Sequence, residues 1–83
     1  MLKLSDDMFD AAIEGVLVRC GQDPFIVYSE SKVIDILVDV AGLSPDDALE
    51  YFEFNIQGAW LGDGTPGFLY RATAEEIEDE WSD

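Results

Sequence analysis

Between Asp6 and Cys20 the apolar residues Phe9, Ala12, Ile13, Val16, Leu17 and Cys20 recur at spacings of three and four, which predicts an amphipathic helix stopped by Gly21. Asp6, Asp10 and Glu14 follow one another at i+4 steps on its polar side, with Asp7 beside them. Pro24-Phe25-Ile26-Val27-Tyr28 is a short β-prone run closed by Ser29-Glu30-Ser31, and it reads as a strand. Val33, Ile34, Leu37, Val38 and Ala41 then restore helical spacing, with a cap at Ser29 or Ser31 and a stop at Gly42.

The sharpest local signal is Leu43-Ser44-Pro45-Asp46-Asp47-Ala48. Ser44 can cap free amides, Pro45 suits the first helical position, Asp47 supplies the reciprocal carboxylate, and Leu43 can staple onto Ala48. The helix so begun should bury Leu49, Phe52 and Ile56, carry Asp46, Glu50 and Glu53 outside, and end near Gln57 with Gly58 as the stop. Residues 58 to 67 hold four glycines and a proline, which makes them a loop of several turns. Phe68 to Arg71 reads as a second strand, and residues 74 to 81 as a last helix with Thr73 as cap and Glu76 at the capping-box position. The predicted class is α+β: about three amphipathic helices on one face of a two-stranded sheet, with a compact unit over residues 1–73 and an acidic helix or tail over 74–83.

Charge changes this picture. The 83 residues carry 19 Asp+Glu against 4 Lys+Arg and no His, a net charge of −15, yet 48% of the chain is hydrophobic. Disordered chains pair high charge with few apolar residues, so this is the composition of a folded domain with a negative shell. Anionic membranes and nucleic acids both repel such a shell, so the expected partners are basic proteins and neither nucleic acid nor membrane directly. A lone Cys20 allows no intrachain disulfide and suits a reducing cytoplasm, where beside Val16 and Leu17 it reads as a small core residue. No run approaches a membrane span and the N-terminus lacks the pattern of a signal peptide, so the expected setting is the cytoplasm.

Little enzyme chemistry survives inspection. Without His the usual general base, the histidine triads and the common transition-metal ligands are gone, and acidic pairs are too abundant for any one to be informative. Gly62-Asp63-Gly64-Thr65 supplies only one carboxylate for a calcium loop, and the glycine-rich stretch lacks the Lys-Ser/Thr of a phosphate-binding loop. The expectation is a non-enzymatic protein with no cofactor and no dedicated metal. Phe9, Phe25, Phe52 and Phe68 read as core; Trp60 reads as a lid over the core, and Trp81 lies in the acidic tail, where an aromatic can anchor an interface.

Positions i and i+4 on a helix place Cβ atoms about 5–6 Å apart, of the same order as the spacing of neighbouring phosphates along a nucleic-acid strand. Rows such as Asp6, Asp10, Glu14 and Asp46, Glu50, Glu53, together with the tail carboxylates Glu75, Glu76, Glu78, Asp79 and Glu80, therefore form the candidate partner-binding set. A protein that grips DNA or RNA with Lys and Arg would meet them as competing ligands. The alternatives are a structural or adaptor module, self-associating as a homodimer through Trp60 and its loop, or acidity that serves solubility or a high-salt setting.

The stretch EYFEFNIQGAWLGDGTP from Glu50 to Pro66, with AAIEGVLVRCG and LSPDDALEYFEFN upstream, resembles small acidic proteins of tailed bacteriophages that share an E-Y-F-E-F-N-x-x-G-A-x-x-G-x-x-T-P pattern. It covers roughly residues 9 to 70 and departs from the pattern at Trp60, Asp63, Gly64 and the acidic tail. The resemblance implies a phage or prophage origin and a host cytoplasm, and it carries over no catalytic residues. By analogy it points to an inhibitor of host nucleic-acid machinery or of a defence complex such as CRISPR or restriction.

Overall fold

A computed structural model describes residues 2–58, 62 and 64–81. The chain begins with a 3-10 helix, Asp7–Ala12, followed by a hairpin of β1, Ile13–Arg19, and β2, Gln22–Ser29. Helix α1 spans Glu30–Asp39 and α2 spans Pro45–Tyr51, running on into a π-helical turn, Phe52–Gln57. Strand β3, Gly67–Leu69, and helix α3, Ala74–Glu80, complete the order. The class is α+β, as the sequence pattern implies, but the sheet has three strands in the order β1-β2-β3.

The extra strand replaces the second half of the predicted first helix. Gly15 weakens a helix here, Ile13, Val16 and Val18 favour strand, and the β2 run offers an antiparallel partner. Gly21, read from the sequence as a helix stop, instead sits at φ +80° in the two-residue turn between Arg19 and Gln22, a conformation that favours glycine. Cys20 shares that turn and is exposed, not in the core. The apolar spacing of three and four was real but deceptive, since Val16, Leu17 and Val18 all lie on exposed parts of an edge strand.

Two register shifts interrupt the β1–β2 ladder, one between Ile13 and Gly15 and one between Leu17 and Arg19. The first leaves Glu14 out of pairing at a bulge. Pro24, which has no amide to donate, lies opposite the second. β3 pairs parallel to β2 through Val27–Gly67, Tyr28–Phe68 and Ser29–Leu69. The Phe25 ring lies over Gly67 so closely that a Cβ there would fall 2.8 Å from it.

The core gathers Phe9, Ala12, Tyr28, Val33, Leu37, Ala48, Phe52 and Ile56. Phe68 joins the layers, meeting the Phe52 ring edge-on at 5.0 Å and the Tyr28 ring at 6.0 Å. The buried Tyr28 hydroxyl accepts a hydrogen bond from the Leu4 amide at 3.0 Å, which ties down the N-terminal segment. Phe9 and Phe52 are thus buried as predicted and the half-buried Phe68 packs against the core, while Phe25, also half-buried, lies over Gly67 instead. On α2, Ala48 takes the core position expected of Leu49, which is exposed. Phe52 and Ile56 continue the buried stripe into the π-helical turn at steps of four.

The caps follow the sequence closely. The Ser29 hydroxyl accepts from Lys32 N, that of Ser44 from Asp47 N, and that of Thr73 from Glu76 N, while Thr73 also donates to the Glu76 carboxylate at 3.2 Å. α3 nevertheless buries none of its residues. The predicted Trp60 lid lies outside the described residues, and none of the described helices is long and apolar enough to cross a membrane.

Candidate functional site

The candidate contact set separates into two kinds of carboxylate. Asp6, Asp10 and Glu14 do not form the i+4 helical row expected of them, because Asp6 precedes a 3-10 helix, Asp10 lies within it and Glu14 belongs to β1. Asp6 accepts from Met8 N at 3.0 Å and so serves as a cap. Lys3 reaches Asp10 at 3.1 Å and Asp7 at 3.8 Å. The Asp10 hydrogen bond and charge raise the Lys3 pKa above its ordinary value; desolvation opposes them, and the charge of Asp7 adds a lesser upward effect.

Glu14 is the most engaged acid. Its bulge position turns it toward the first turn of α1 and the chain beyond β3, where Lys32 lies at 3.2 Å and Arg71 at 3.4 Å from the same carboxylate oxygen. The hydrogen bond from Lys32 is the largest cause, with both cationic charges adding to it, of a Glu14 pKa below the usual carboxylate range. One side chain thus joins β1, α1 and the end of β3. Three of the four Lys and Arg residues of the chain are spent on this N-terminal group of acids.

Asp46, Glu50 and Glu53 lie on α2 and the π-helical turn, exposed, opposite the stripe of Ala48, Phe52 and Ile56. Among the described residues no cation pairs with them, nor with Glu75, Glu76, Glu78, Asp79 or Glu80 on α3. Glu53 also acts within the fold: burial first, and then its negative charge, raise the pKa of Glu30 at the start of α1.

Exposed aromatic side chains stand within both unpaired groups, Phe54 and Tyr51, which the sequence reading passed over, and Trp81, which it singled out. Phe54 is 76% exposed and Tyr51 46%, and with Leu43 and Asn55 they line a shallow groove of about 420 Å³ rimmed by Asp47 and Glu50. The signal was available, since Phe54 lies two positions from both Phe52 and Ile56, off the stripe that those residues bury. On the other surface Trp81 is 60% exposed and its ring lies 5.7 Å from that of Tyr70. Among the described residues no three carboxylates or cysteines converge to hold a metal ion.

Fold and surface together define a small α+β domain in which, among the described residues, two groups of unpaired acids lie beside exposed aromatics, one on α2 with its π-helical turn and one on α3, while Asp23, Asp35 and Asp39 are exposed and unpaired elsewhere. No family model, no curated protein and no solved structure matches this chain.

Proposed function

We propose that this is a non-enzymatic phage-type interaction protein that inhibits a host nucleic-acid-binding protein, or a defence complex such as CRISPR or restriction, by occupying its basic groove in the host cytoplasm. The observation that carries the reading is the separation of the acids: three of the four cations are taken up by Asp7, Asp10 and Glu14, and among the described residues Asp46, Glu50, Glu53 and the α3 carboxylates are exposed and unpaired. A row of unpaired carboxylates on a rigid helix offers Lys and Arg the same counterion release as a phosphate backbone. Phe52 and Ile56, buried on the opposite side, anchor the helical run that carries Asp46 to Glu53.

The test is displacement of a fluorescent duplex from purified nucleic-acid enzymes, including a nuclease of a restriction or CRISPR complex. The chain should release the duplex, and its binding should fall by orders of magnitude between about 50 mM and 200 mM salt. Binding that neither salt nor DNA disturbs contradicts the proposal.

A further inference from the structure

We infer that the groove between the end of β3 and α3 docks a basic segment of a partner protein, one in which an aliphatic or aromatic anchor is flanked by lysine or arginine. This deepens the reading above and rests on it for the nature of the partner. The groove encloses about 710 Å³ and is lined chiefly by Leu69, Tyr70, Ile77 and Trp81. Ile77 on α3 and Trp81 at its C-cap stand one helical step apart, 49% and 60% exposed, and Trp81 meets Tyr70 at 5.7 Å with the rings tilted by 54°.

A seven-residue helix is too short to persist on backbone hydrogen bonds alone. α3 has a Thr73 cap and the Tyr70–Trp81 contact, yet it buries no residue against the body of the protein. Its apolar side is therefore an open half of an interface.

Charge selects what closes it. α3 carries Glu75, Glu76, Glu78, Asp79 and Glu80 with no basic residue, and the one cation in the groove wall, Arg71, is directed to Glu14 at 3.4 Å. A second copy would bring a further charge of −15 against the same wall, and nucleic acid or an anionic membrane would meet it with like charge. A protein segment with Lys or Arg on either side of an apolar anchor would seat its anchor on the apolar lining and carry its cations to Glu76, Glu78 and Glu80, which neighbour Ile77 and Trp81 along the chain, in the pattern of a buried anchor ringed by polar contacts.

The test uses the full chain labelled with ¹⁵N and two synthetic peptides of equal charge, Lys-Arg-Leu-Phe-Arg-Lys and Lys-Arg-Gly-Ser-Arg-Lys. The first should shift the Trp81 indole, Ile77 and Tyr70 signals and bind about tenfold or more tightly than the second. Trp81→Ala and Ile77→Ser should abolish that difference and leave the remaining spectrum dispersed, since neither side chain supports the core. Equal affinity of the two peptides, largest shifts at Tyr51 and Phe54, or a dimer in sedimentation that needs Trp81 would each overturn the inference. The two readings fail separately: failure to displace DNA with Trp81-dependent peptide binding retained removes the mimicry alone. Undiminished DNA displacement by Trp81→Ala, with the two peptides binding equally, removes the groove alone.

Discussion

The acids before residue 15 and those after residue 45 look alike in the sequence and behave differently in the fold. Asp7, Asp10 and Glu14 are tied by Lys3, Lys32 and Arg71 into contacts that hold the N-terminal segment, the bulge of β1, α1 and the end of β3 together. Among the described residues, Asp46, Glu50, Glu53 and the α3 carboxylates have no cation paired with them. The first group serves the structure, and the second is the one that the proposed function assigns to a basic partner. Net charge alone conceals this, because four cations in a chain of −15 matter by where they are placed.

The largest way to break the comparison is to remove what holds the second group in place. Phe52→Ala should cost about 3–5 kcal/mol in denaturant unfolding, since Phe52 is fully buried and packs edge-on against Phe68. Replacing Glu50 with Gln on the exposed side of the same helical run should leave stability unchanged within about 0.5 kcal/mol. Ser44→Ala removes the cap that starts α2 and should cost about 1 kcal/mol.

Smaller effects sharpen the contrast through pH. Glu14 has a folded-state pKa below its unfolded value, so its ion pairs contribute stability above the carboxylate range, and that contribution disappears as pH falls through the lowered value. Glu14→Gln should therefore lower Tm at neutral pH and match the parent protein once the pH has fallen below the lowered Glu14 pKa. Glu30 behaves oppositely: its raised pKa means that the charged form opposes folding at neutral pH, and the cost vanishes as acid protonates it. Glu53→Gln should raise Tm slightly at neutral pH and return the Glu30 pKa, followed by NMR titration, toward its ordinary value.

Much of the fold was legible because its signals were local. The Ser44-Pro45 start of α2, the Ser29 and Thr73 caps, and the strands around Ile26 and Phe68 each depend on a few neighbouring residues. Residues 13 to 20 were misread because Ile13, Val16, Leu17 and Cys20 satisfy helical spacing while Gly15 and the β-branched side chains also allow a strand; pairing with β2, a non-local event, decided between them. The same event dissolved the Asp6–Asp10–Glu14 row. Spacing along a chain measures a helical face only where a helix forms, and no local pattern announced that Lys32 and Arg71 would meet at Glu14. The row at Asp46, Glu50 and Glu53 stayed on one exposed side because the capped helix beneath it was itself a local prediction.

The most direct measurement of the central claim compares two charge-neutralised variants in displacement of a duplex from a nucleic-acid enzyme at fixed low salt. One carries Asp46→Asn, Glu50→Gln and Glu53→Gln, the other Asp6→Asn and Asp10→Asn. The first should lose about tenfold or more in affinity with its salt slope reduced by about one for each lost contact, and the second should stay within about twofold of the parent chain. Equal losses in the two variants, or a larger loss in the second, would contradict the division of the acids into structural and partner-facing groups.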